Sequence, residues 1–409
     1  MRRVVITGLG PVTPIGIGKE DFWRAVCEMR SAIGPVTRFD ASMFRARSAA
    51  EMNGWDPTVF FPPSRLKRLD RYAQFAVASA YLALADAKLE FDPDRPTDRV
   101  GVSYGSALGG VANAEHQHHA FVKAGPRSVH QLIALQVFSG AAHSNIAIEF
   151  GFRGVGTTNS NSCASGNVAI GEGARYIRDN WADIIVAGAA EAPLSPLTYG
   201  AFDFIRTMSR NDPTIACRPF DRDRDGFVMG EGGAAVVLEE YEHARARGAH
   251  IYAEVVGYSL NNDASHMTTP LESGAACTAA MIDAVRRAGI SPEEIDYING
   301  HASSTRLNDA NEALCIRKLF GKAARTIPVS GTKAYYGHPL GASAAIEAVI
   351  CALAFEHDLL PPNLNLQNPD EDCGLDLVWG EPRKRRVNYI LSNAFGFGGI
   401  NSCVVFKRA

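Results

Sequence analysis

Short β-branched runs alternate with alanine-rich helical stretches from one end of the chain to the other, and the alternation restarts close to residue 250. Residues 3–8 (RVVITG), 100–103, 183–187 (DIIVA) and 234–239 (AAVVLE) read as buried strands, several of them closed by glycine. Residues 22–30, 70–89 (DRYAQFAVASAYLALADAKL), 139–149 and 242–247 read as helices. The pattern then runs again. Strands are predicted at 251–257, 295–299, 327–330, 389–393 and 403–407, with helices at 274–288 and 342–355. Such alternation over 409 residues predicts layered α/β architecture, with a border between two halves near 250.

A faint echo supports two related halves. Cys163 is followed by ASGNVAIGEGARYI and His338 by PLGASAAIEAVICAL, so each precedes a helix rich in small residues. Charge narrows the function classes: 41 basic against 44 acidic residues, with no like-charged tail, point away from nucleic acid. Eight scattered cysteines without CxxC spacing exclude the common zinc and thioredoxin patterns and predict reduced thiols in a cytoplasmic protein. The N-terminal segment meets glycine and proline too early for a signal-peptide core. No apolar run is expected to reach the roughly 18 residues a membrane span needs.

Three segments carry chemistry-bearing residues. Cys163 lies in NSNSCASG, before a helix, where the macrodipole and free N–H groups would lower the thiol pKa. A buried structural cysteine remains the competing reading of that segment alone. His301 (YINGHASST) and His338 (KAYYGHPLG) each sit in a small-residue loop after a strand. One cysteine with two separated histidines fits acyl-transfer chemistry without distinguishing hydrolysis from condensation. The segment SNAFGFGGIN lacks dinucleotide-loop spacing, and a glycine turn of this kind suits presenting backbone N–H groups to an oxyanion.

Taken together, these motifs resemble the β-ketoacyl-acyl carrier protein synthases, closest to the elongating type II enzymes. The likeness runs through RRVVITGLGPVTPIG, NSCASG, RPFDRDRDGFVMGEGGAAVVLE, YINGHASSTRLND, SGTKAYYGHPLGAS and SNAFGFGGIN. It implies a five-layered αβαβα thiolase-like fold of two pseudo-symmetric halves, residues 1–250 and 251–409. It implies a homodimer, with a heterodimer as the alternative, and neither cofactor nor metal. The implied partners are acyl carrier protein bearing phosphopantetheine, and malonyl and acyl thioesters.

Carried over position by position, Cys163 would hold the acyl chain, and the N–H groups of Cys163 and Phe397 would form the oxyanion hole. His301 and His338 would donate to the malonyl thioester carbonyl, with Lys333 nearby and paired to Glu347 or Glu312. Ser303 and Thr305 would hold the phosphopantetheine arm. Leu108 and Phe202 would line the acyl pocket, with Phe397 as its gate. Lys67, Arg68, Arg127 and Arg206 would form a basic patch for the carrier protein.

Several positions depart from the family pattern: Ala302 for glycine, Ser303 for threonine, Arg306 for proline, Tyr335 and Tyr336 before the second histidine, and the asparagines before Cys163. The departures bear on chain length and pathway. The alternatives are a polyketide or polyene ketosynthase with the same chemistry, and a non-catalytic chain-length-factor-type subunit, which would lack the active cysteine. A thiolase would need a second cysteine at the C-terminal turn, and Cys403 falls in an expected strand. A cysteine hydrolase would need an orienting group such as Asn308 or Asp309.

Overall fold

The computed structural model describes residues 2–409. In the first half, strands β1 (Val4–Thr13), β2 (Val100–Gly105), β3 (Gly156–Asn159), β4 (Ile184–Glu191) and β5 (Gly232–Glu240) assemble in the order β3-β2-β4-β5-β1. Strand β2 runs parallel to β3 and β4, and β5 is antiparallel to both its neighbours. In the second half, β6 (Ala253–Asn262), β7 (Tyr297–Asn299), β8 (Pro328–Ser330), β9 (Tyr389–Gly396) and β10 (Ile400–Arg408) repeat the scheme as β8-β7-β9-β10-β6. Their orientations repeat as well. The sheets meet at one edge through two residue pairs between β1 and β6. Every residue of β1 and β4 is buried, which is why those segments read as continuous runs of apolar and small residues rather than as alternating patterns.

Five helices complete the layers: α1 (Arg71–Asp86), α2 (Ser165–Arg178), α3 (Ala275–Arg287), α4 (Arg306–Phe320) and α5 (Ser343–His357). Asp70 starts α1 by accepting the Ala73 N–H at 3.1 Å. Helix α1 covers the outer face of β1 and β5, and α3 covers β6 and β10 with α4 beside it. Helices α2 and α5 lie between the two sheets, giving α, β, α, β, α layers.

The repeat extends to single residues. A register shift falls between Ile6 and Gly8 in β1 and between Val255 and Gly257 in β6. A Cβ on Gly8 would lie 2.1 Å from the Ala83 carbonyl oxygen, and one on Gly257 would lie 2.1 Å from that of Ala284. Each glycine lets its covering helix sit directly on the strand.

Two expectations are modified here. The stretch Leu340–His357 is long and apolar enough to cross a membrane, with mean hydropathy 1.4 over 18 residues, so the expectation that no run approaches that length fails. Its cause is packing, since 89% of it is buried and α5 has protein on all sides. The echo between the helix starts also has a different register. Ser162 (φ 51) and Leu340 (φ 40) occupy matching turns three residues before α2 and α5, so Cys163 is matched by Gly341 rather than His338.

Candidate active site

Strand β3 ends at Asn159, and the chain turns through Ser162–Ala164 into α2. Cys163 sits in that turn and is only 5% exposed. The Gly396–Gly399 turn between β9 and β10 lies across it. A Cβ on Gly396 would lie 3.1 Å from the Cys163 nitrogen, and Phe397 lines the same cavity as Cys163. Gly398 and Gly399 take φ of 84 and 70, which this tight reversal requires.

His301 follows β7 after a single residue. Its loop is held by two carboxylates projecting from the first turns of α4. Glu312 accepts the His301 and Ala302 N–H groups, each at 2.8 Å, and Asp309 accepts the Ser304 N–H at 3.1 Å. Ala302 (φ 43) and Ser304 (φ 67) lie in the left-handed region. That conformation favours glycine, and alanine at 302 costs about 1–2 kcal/mol there.

His338 follows β8 by way of the short helix Lys333–Tyr336. Its N–H donates to the Val228 carbonyl at 2.6 Å and its carbonyl accepts the Gly230 N–H at 3.1 Å. The FVMGEGG segment therefore fixes this histidine's backbone. Its Nδ1 lies 2.8 Å from the Ser343 hydroxyl, and Phe227 meets its ring edge-on at 5.2 Å.

These segments bring one ligand-type atom each of Cys163, His301 and His338 within 4.8 Å of one another. The two imidazole centroids stand 5.4 Å apart at 75°. By distance and donor type the trio could also hold a borderline-soft metal ion. Burial, and then the Lys333 charge, holds both imidazoles well below the ordinary histidine pKa; His338 adds to the effect on His301. Both rings are therefore neutral near pH 7, each with one N–H.

The thiol departs from its sequence expectation. Burial pushes Cys163 up, and this outweighs the Ser162 hydroxyl, the Lys333 charge and the Phe397 N–H, which all pull it down. Lys333 is fully buried, donates to the His301 carbonyl, and pairs with Glu347 at 2.5 Å. Glu312 is not its partner, because both its oxygens are taken by the His301 loop and by Asn393 at 3.1 Å. Burial raises Glu312 and Glu347 to about 7.

A cavity of about 350 Å³ opens onto Cys163, His301 and His338, with Ser303, Thr305 and Arg206 among its walls. The Ser303 and Thr305 hydroxyls lie 3.0 Å apart. A second cavity of about 130 Å³ shares Cys163, Phe202, Leu340 and Phe397 with the first and adds Leu108, Ser160 and Ser162. Phe202 and Phe397 stack at 6.2 Å between the two spaces.

Lys67, Arg68, Arg127 and Arg206 are exposed and form no ion pair among the described residues. Only Arg206 lines the catalytic cavity; Lys67 borders a separate one. Ser343, Phe227 and Ser162 were missed by sequence reasoning. Ser343, five residues past His338, left a local signal, whereas Phe227 is brought in only by the fold.

Comparison with known proteins agrees along the whole chain. Models for the beta-ketoacyl synthase N-terminal and C-terminal domains match residues 1–244 and 252–367. The 3-oxoacyl-[acyl-carrier-protein] synthase 2 of Synechocystis sp. is 42% identical over 409 residues, covering 100% of this chain and 98% of the relative. That of Coxiella burnetii is also 42% identical, covering 100% and 99%. A solved complex of a type II PKS acyl-carrier protein with its ketosynthase bound to the hexaketide has TM-score 0.92 and 34% identity, covering 100% of both chains.

Proposed function

Because the chain belongs to the β-ketoacyl synthase family, we propose that it elongates acyl chains in fatty-acid synthesis, condensing a Cys163-bound acyl group with malonyl-acyl carrier protein. It is an acyltransferase of the condensing-enzyme type. The observation carrying the residue assignment is the convergence of Cys163, His301 and His338 at the floor of one cavity.

In this reading the Cys163 sulfur attacks an acyl thioester and the carrier's thiolate leaves, taking up a proton. The Cys163 and Phe397 N–H groups stabilise the tetrahedral oxyanion. Malonyl thioester then enters, and its carbonyl oxygen accepts hydrogen bonds from the two neutral imidazoles. The bond to the carboxylate breaks, carbon dioxide leaves, and the electron pair passes to an enolate held by those N–H groups. The enolate carbon attacks the acyl-Cys163 carbonyl, the C–S bond breaks, and the β-ketoacyl thioester forms as the sulfur regains its proton. Lys333 acts as a positioning residue through the His301 carbonyl. Both imidazoles being neutral supports donor rather than cationic roles.

Ser303 and Thr305 would hold the phosphopantetheine arm in the larger cavity, and Leu108 and Phe202 would line the smaller one for the acyl chain, with Phe397 between them. The four exposed basic residues would dock an acidic carrier protein in the cytoplasm. We assign residues 1–250 and 251–409 as the two halves. A homodimer is supported by β3, an edge strand with β2 as its sole neighbour, and by exposed Val122, Leu135 and Phe138 in the same half. A polyketide role has its own support in the ketosynthase complex of equal length.

Intact-protein mass spectrometry on wild type and Cys163→Ala, offered a panel of acyl-carrier thioesters, tests the assignment. Wild type gains one acyl mass and the variant none, and the preferred chain length separates the two pathways. Absence of any acyl adduct on folded wild type favours the non-catalytic subunit.

A further inference from the structure

The turn that carries the nucleophile recurs at the start of α5, with leucine at 340 where the first half has Ser162. Both residues take left-handed φ, 51 and 40. The backbone turn therefore does not require a hydroxyl. A non-glycine residue in this region costs about 1–2 kcal/mol, and such strain concentrates at functional sites.

The Ser162 side chain is accommodated because Gly396 has no Cβ: one built there would lie 3.1 Å from the Ser162 Cβ and 3.4 Å from its Oγ. Ser162 borders the small cavity together with Cys163. Its one hydrogen-bond partner among the described residues is the Cys163 sulfur, at 3.8 Å.

We propose that the Ser162 hydroxyl is a positioning residue for the nucleophile, donating a hydrogen bond to the Cys163 sulfur that favours the thiolate and orients it before acyl transfer. The proposal deepens the condensing-enzyme reading and rests on Cys163 being its nucleophile. An O–H directed at a buried sulfur favours its ionised form, because a donor to an ionised group contributes more than one between neutral groups. Acylation removes the negative charge and releases the hydroxyl to the small cavity.

The test is the pH dependence of Cys163 alkylation by iodoacetamide, followed at that residue by peptide mass spectrometry in wild type, Ser162→Ala and Ser162→Gly. Needing no carrier or malonyl substrate, it separates failure of this proposal from failure of the condensing assignment. In Ser162→Ala the midpoint moves up by about one pH unit, and the neutral-pH rate falls about tenfold. The rate recovers as the pH is raised. Ser162→Gly, relieved of backbone strain, shows the same shift and covers the case in which the alanine variant folds poorly. Profiles that superimpose on wild type, or a loss that high pH does not restore, overturn the proposal.

Discussion

At the catalytic histidines, burial and a fixed positive charge act in the same direction. Each imidazole is held well below the ordinary histidine value of about 6.5, so its neutral form persists into mildly acidic solution. Protonation is lost from the folded protein long before pH 6.5 is reached from below. Carbon dioxide release from a malonyl thioester, followed in Cys163→Ala so that the thiol does not titrate, therefore shows no histidine step near pH 6.5, and a step near pH 7 is that of the Glu312 and Glu347 carboxyls. An inflection near 6.5 that persists when both carboxyls are replaced by Gln would contradict the assignment. Lys333 carries a second prediction. Lys333→Met leaves the Glu347 carboxyl buried without its partner and lowers unfolding free energy by about 3–5 kcal/mol in urea titration. Adding Glu347→Gln recovers part of that loss. The residue types at the site were legible in sequence; the direction of the thiol shift was not. A helix start can be read from NSCASG, whereas the burial that outweighs it comes only with the fold, which lays the Gly396–Gly399 turn across Cys163 from more than 230 residues further along.

The same physics decides which elements could be read. Strands β1, β4 and β5 are almost wholly buried, so apolar and β-branched content identified them. Strand β3 is GTTN, polar and partly exposed at a sheet edge, and left no apolar signal. The helix Val111–Ala124 buries no residue and was likewise missed. Helix α4 was missed because polar Asp309, Asn311 and Glu312 point into the site from its buried face. Two matched strand–helix contacts give a prediction of their own. Gly8→Ala and Gly257→Ala each force a Cβ against a helix carbonyl, and each lowers stability by roughly 1–3 kcal/mol in urea unfolding, by similar amounts in the two halves. If only one variant were destabilised, the packing repeat would not be energetic.

For the molecule as a whole, the repeated strand order places both helix starts, α2 with Cys163 and α5 beyond His338, at one end of the central layer. Two halves thus contribute different groups to one site: Cys163 from the first, His301 and His338 from the second, which the proposed mechanism uses as nucleophile and as donors for decarboxylation. The exposed apolar residues predict that Leu135→Asp with Phe138→Asp shifts sedimentation from dimer toward monomer. The division of labour is tested most directly by pairing intact mass with labelled carbon dioxide release in Cys163→Ala, His301→Ala and His338→Ala. The histidine variants should still gain an acyl mass, yet release carbon dioxide about 10²–10⁴-fold more slowly. Cys163→Ala should release carbon dioxide and form no β-ketoacyl product. Undiminished release from both histidine variants would contradict this account.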